Sequence, residues 1–181
     1  STEEYEVVVT LTRTDATTIS QNVVITKIGA STSEADGVAK FTNTFTLNAV
    51  PFKVIGTKNL VDIDNRPLAI KNGQFTFNMY QTGSDFSVPA GTTAIQARNV
   101  GNQFTLQDTI TTAGVYYYVI EEANENVLGM QYDSTRYHAT VVVGEASNGL
   151  DLEIKSQTIV KVGGAGNTNV EFNNKYVPAP K

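Results

Sequence analysis

The sequence predicts an all-β protein folded as a β-sandwich, and three observations predict it. Apolar and polar residues alternate through many short runs, the side-chain period of a strand and not of a helix. The runs are rich in Val, Ile, Thr, Tyr and Phe and are bounded by Gly, Asn, Asp and Pro. Charged residues fill only 17% of the 181 positions, with Thr, Asn, Ser and Gln as the main polar residues, a balance that suits exposed strand faces better than charged helices.

Taken in order, the strand-like runs are Glu4–Leu11, Asn22–Lys27, Ala39–Phe45, Phe52–Leu60, Gln74–Tyr80 and Val115–Glu122. Tyr137–Val143, Leu150–Lys155, Thr158–Val162 and Val170–Tyr176 follow. The helical signal is weak, a turn over Gln107–Thr111, and Gln81–Asn102 is the longest stretch without a clear strand. Many short strands separated by turn residues are the pattern of a sandwich.

The strands also repeat. The run from Tyr5 resembles that from Tyr137, 132 positions on, and Phe41–Phe45 resembles Phe172–Tyr176 at an offset of 131. Ile25–Gly29 resembles Val160–Gly163 in spacing and type. A near-constant offset over three elements indicates a tandem repeat. On that reading residues 1–45 are the closing three strands of a preceding repeat, 46–177 are one complete repeat, and 178–181 begin a stiff Pro-containing linker.

Composition removes several classes of function. The formal charge is −5 and Lys and Arg never cluster, so neither nucleic acid nor an anionic membrane has an electrostatic footprint here. Cysteine is absent, which excludes disulfides, thiolate chemistry and Cys-based zinc sites. No apolar run approaches the roughly 18 residues of a membrane span. With no leader or anchor in view, an exported form of this chain would be a mature or excised piece.

Chemistry enters through strand parity. Alternate side chains share a face, so Tyr116, Tyr118, Ile120 and Glu122 point one way. By the same rule Phe172, Asn174 and Tyr176 go together, as do Val54, Lys58 and Leu60. If these apolar faces are the inward ones, a lysine, a glutamate and an asparagine enter the core. A lone buried charge is costly, so the three need pairing or reaction. Glu121, Asn173 and Lys53 are nearby alternatives of opposite parity.

These motifs, from Lys58-Asn-Leu and Gln74-Phe-Thr-Phe77 through Gly114-Val-Tyr-Tyr-Tyr to Glu122, Gly129–Tyr137 and the closing Phe172-Asn-Asn174-Lys-Tyr176, occur in order over residues 52–176. In this combination the chain resembles the pilin-type isopeptide domains of Gram-positive surface proteins, a family that includes streptococcal major pilins and adhesin-stalk repeats. The resemblance implies an immunoglobulin-like (Cna B-type) β-sandwich with an intramolecular isopeptide bond between Lys58 and Asn174, assisted by Glu122 as a buried acid. Tyr116, Tyr118, Phe172 and Tyr176 would form the supporting core. Desolvation favours a neutral lysine amine, which is a nucleophile, and a protonated Glu122 positioned to donate to the Asn174 carbonyl oxygen. The bond forms once, so the domain is no enzyme in the turnover sense. It implies no cofactor and no metal.

The remaining candidates have plainer explanations. His138 is read as a surface residue, Asp62 and Asp64 as part of a turn before Arg66-Pro67, and Gly163–Gly166 as a loop that precedes no helix. Asn43 sits in a setting like that of Asn174 but without an upstream lysine or acid strand. The expectation is therefore a structural module of a cell-surface pilus or stalk, extracellular, with neighbouring repeats or pilin subunits as partners. The alternative is an adhesive tip that binds host protein or glycan, with Gln81–Asn102 as its surface. A glycan-processing enzyme would need a second carboxylate opposite Glu122, and none is plausibly placed.

Overall fold

The computed structural model describes residues 3–14, 18–29, 33–34, 39, 41 and 46–178. Asn43 and most of the run expected over 39–45 lie outside the described residues, as does the linker beyond Pro178. Contacts divide the chain into two units, Ser1–Thr46 and Leu47–Lys181.

The first unit is a three-stranded sheet in the order β1 (Tyr5–Arg13), β2 (Ile19–Lys27), β3 (Ser33–Glu34). β1 and β2 are an antiparallel hairpin pairing Tyr5 with Lys27 through Arg13 with Ile19. Lys27 forms an ion pair with Glu3, and the Tyr5 ring meets Phe41 edge-on at 4.9 Å. Most of the apolar hairpin side chains remain exposed, Val7, Val9 and Leu11 by more than half.

The second unit is a sandwich of two sheets. β4 is Val50–Val61, β5 Thr76–Thr82, β6 Ile95–Arg98 and β7 Gln103–Ile110. Then come β8 (Gly114–Glu122), β9 (Met130–Gln131), β10 (Arg136–Glu145), β11 (Leu152–Lys161) and β12 (Val170–Tyr176). One sheet runs β11-β10-β8-β5-β6 and the other β7-β4-β12-β9. All pairings between these strands are antiparallel but one: β12 lies parallel to β4, with Phe172 opposite Lys58 and Asn174 opposite Leu60. The first and last strands of the unit are thus direct neighbours.

Alternation drives this arrangement. Phe52, Val54, Lys58 and Leu60 of β4 are buried while Lys53 and Ile55 between them are exposed. β10 buries Tyr137, Ala139, Val141 and Val143 in the same way. The two inner faces meet in an aromatic layer where Phe77 of β5 stacks on Phe104 of β7 at 3.7 Å and both rings approach Phe172 of β12. Such rings supply much of a core's buried area and fix its geometry.

Four expectations are corrected. Gln107–Thr111 is not a helical turn: residues 103–110 are a strand, because Phe104, Leu106 and Ile110 recur at the two-residue period and are buried. Gln81–Asn102 is not strand-free, since Ile95–Arg98 pairs with β5. The two runs at 150–155 and 158–162 are one strand, and the register shifts opposite Val142/Val143, so a bulge occurs where the sequence suggested a break. Tyr176 is not core: at the strand end it is 36% exposed, whereas Phe172 is fully buried.

Candidate functional site

β4, β8 and β12 each send one polar side chain into the sandwich. Lys58, Glu122 and Asn174 are all buried, and the Lys58 and Glu122 side chains have no exposed surface. Parity explains which residues enter: Glu121 and Asn173 point to the other face, and Lys53 lies outside. Parallel pairing of β4 and β12 sets Asn174 diagonal to Lys58, two positions along the ladder. Glu122 arrives from the opposite sheet and bridges the gap.

The contacts form a chain. Lys58 Nζ donates to Glu122 Oε2 at 3.0 Å, and Asn174 Nδ2 donates to Glu122 Oε1 at 2.8 Å. The Asn174 carbonyl oxygen accepts the backbone N–H of Asp133 at 2.8 Å. A backbone N–H can only donate, so the amide must turn its oxygen to Asp133 and its NH2 to Glu122. The expectation set Glu122 against the Asn174 carbonyl oxygen, whereas here its carboxyl accepts from the Asn174 NH2. The carbonyl oxygen is held from the other side, by Asp133. The Phe75 ring lies 4.7 Å from Lys58 Nζ and closes the amine pocket with an aromatic face. Among the described residues, no buried side-chain nitrogen or oxygen lacks a partner.

Burial dominates the electrostatics. It pulls the Lys58 amine below its ordinary value against the opposing charge of Glu122, and pushes the Glu122 carboxyl up against that of Lys58. Both directions favour a neutral amine beside a neutral acid. Asp133 behaves differently: burial would raise it, but hydrogen bonds from Thr135 and Asn173 hold its carboxyl below the usual range. A cleft of about 390 Å³, lined in part by Glu121, Glu122, Asp133 and Arg136, opens beside the acid.

The other sequence candidates fall outside this cluster. Tyr118 is fully buried and donates from its hydroxyl to Asp108 at 2.9 Å, while Tyr116 is partly buried and bonds to Thr112. His138 is half-buried and not simply on the surface, for its ring stacks on Phe86 at 4.0 Å. Asp62 and Asp64 clasp Arg66 in a turn. Among the described residues, no group of three or more metal-ligating side chains occurs.

Two contributors were missed in the sequence. Asp133 carries an Asx-turn signal, an acid two residues before the Thr135 N–H it accepts, but parity says nothing about a backbone donor. In the sequence Tyr137 signals only a strand. Its hydroxyl donates to the Glu171 carbonyl at 2.7 Å and accepts the Glu171 N–H at 3.0 Å, tying β10 to β12 across the core.

A two-sheet β-sandwich with lysine, acid and asparagine joined in its interior belongs to the class of pilin-type domains. Residues 54–177 match the family described as FctA, the Spy0128-like isopeptide containing domain, and the chain belongs to that family. Among solved structures it is similar to the major pilin of Streptococcus pyogenes in a point-mutant form, at 22% identity and a TM-score of 0.50 over 68% of this chain and 50% of that one. The unmutated S. pyogenes major pilin gives 22% identity and a TM-score of 0.49 over the same shares. The chain spans about half the length of these pilins, and at 22% identity the likeness to the first concerns the fold alone. No curated protein sequence matches the chain.

Proposed function

We propose that this chain is a structural module of a Gram-positive surface fibre, locked by a self-formed amide between Lys58 and Asn174. The observation that carries the proposal is the contact chain from Lys58 through Glu122 to Asn174 inside an apolar core. The Lys58 ammonium gives a proton to the Glu122 carboxylate, and the neutral amine attacks the Asn174 side-chain carbon. Glu122 delivers its proton to the amide nitrogen and takes one from the attacking nitrogen. The C–N bond of the carboxamide breaks, ammonia departs to solvent, and a neutral amide and a protonated acid remain. Preorganisation of this kind lowers a barrier by up to about 7–11 kcal/mol.

Intact mass tests the scheme. The wild-type chain should be lighter than its sequence by one ammonia, and Lys58→Ala, Asn174→Ala and Glu122→Ala should each keep the full mass. Folded wild-type protein at full mass would refute the cross-link.

The fibre role places the module outside the cell, with like subunits as neighbours. Among the described residues no helix is long and apolar enough to cross a membrane. Residues 1–45 are, in this proposal, the closing strands of a second domain of the same kind. Supporting it, Val7, Val9 and Leu11 correspond at the 132-residue offset to Ala139, Val141 and Val143, which are buried in their own sandwich while the former are exposed. Hydrogen exchange checks this: amides of β1 and β2 should exchange far faster in this chain than those of β8 and β10. Equal protection would overturn it.

A further inference from the structure

The cross-link reaction leaves one atom without a side-chain partner. As the Lys58 amine attacks, negative charge develops on the Asn174 oxygen, and Glu122 lies on the opposite side of the amide, against the NH2. The group that meets the oxygen is the Asp133 backbone N–H, at 2.8 Å, within the range of an effective oxyanion donor.

That N–H lies in the short stretch between β9 and β10, where no ladder fixes it. Its own side chain does so instead. Asp133 Oδ2 accepts the Asn173 N–H at 2.7 Å, and Oδ1 accepts the Thr135 N–H at 2.8 Å. One carboxylate therefore fastens its backbone both to the next turn and to the strand carrying the reacting asparagine. Two acceptor oxygens aimed at two N–H groups is a geometry that aspartate satisfies and that asparagine, with one acceptor and one donor, satisfies by half. The clasp also moves with the target: Asn173 is the residue before Asn174, so any shift of the strand end carries the donor along.

Resting on the cross-link reading, we propose that the Asp133 backbone N–H is the oxyanion donor for amide formation and that the Asp133 carboxylate is the positioning group that holds it against Asn174. The Lys58–carbon bond forms and the carbon–Nδ2 bond breaks as before. The donor stabilises the intermediate between them and is unchanged at the end.

The test follows cross-linking in time, by intact mass, after cell-free synthesis of the full chain. Replacing the Tyr132–Asp133 amide by an ester, with the α-hydroxy counterpart of aspartate at 133, removes the N–H and keeps the clasp. Loss of one such donor should slow ammonia release by about 10²–10³-fold. Asp133→Ala should slow it strongly and Asp133→Asn should recover part of the rate. Asn59→Ala is the control, because Asn59 contacts Asn173 on the outer face of the same strands and its loss should leave the rate unchanged. Near-ultraviolet circular dichroism reports whether each chain is folded, and if Asp133→Ala is not, the ester form decides. A folded ester form that reacts at the wild-type rate overturns the assignment. A wild-type chain that never loses ammonia overturns instead the cross-link on which it rests.

Discussion

Gly56 has no side chain because Phe104 stands where one would be. A Cβ on Gly56 would lie 2.1 Å from Phe104 Cζ, and the stack of Phe104 on Phe77 leaves the ring nowhere to move. Gly56→Ala should destabilise the unlinked Glu122→Ala form by about 1–3 kcal/mol, read from urea unfolding. Because Gly56 is two residues before Lys58 on the same face, the substitution should also lower the fraction of chains that lose ammonia. His138 gives a second prediction at this scale. Burial, with Arg136 nearby, holds its imidazole below the ordinary value. The unfolded chain then binds a proton more readily than the folded one. The stabilisation is complete above the unfolded value near 6.5 and is lost as pH falls through the folded value. An NMR titration should place the folded value below 6.5, and Phe86→Ala should move it back toward 6.5 by opening the stacked face.

At the scale of elements, β7 is the informative case. Its alternation is carried by Phe104, Leu106 and Ile110, but Gln, Thr and Asp fill the places between, and a short polar-interrupted run looks like a turn. Leu106 is fully buried, so Leu106→Ala in the unlinked form should cost about 2–5 kcal/mol, measured by chemical denaturation. The long strands β4, β8, β10 and β12 were legible because β-branched and aromatic residues hold a strict period of two. The same period picked Lys58, Glu122 and Asn174 over Lys53, Glu121 and Asn173. What the period cannot carry is pairing. Nothing in one strand's pattern says that β4 lies beside β12, that Tyr137 reaches Glu171 across the core, or that an N–H of Asp133 faces the Asn174 oxygen. Tyr176 misleads for a related reason: its parity is inward, but the ladder with β4 ends at Lys175, and Tyr176 pairs only with Met130 of the two-residue β9, which leaves it partly exposed.

For the second unit as a whole, the proposed bond sets the path of force. Tension entering at β4 would travel along that strand to Lys58, cross to Asn174 and leave within two residues, at the end of β12. Everything between the linked residues is then shielded. Single-molecule pulling should show no unfolding step for this unit when linked. The Glu122→Ala form should release a length on the order of 400 Å, the reach of more than a hundred residues at ~3.5 Å each. A closed loop of that size should also raise stability by about 4–5 kcal/mol through the unfolded state, seen as resistance to heat and proteases that the Glu122→Ala form lacks. The parallel contact between β4 and β12 carries a last consequence, for timing. Asn174 is made after every other part of the site, so during synthesis, and during the export that the proposed fibre role requires, the polypeptide would stay an open thread able to pass lengthwise through a narrow channel. Only arrival of the final strand completes the four-stranded sheet, so closure of the proposed ring would be deferred to the last step of the unit's assembly.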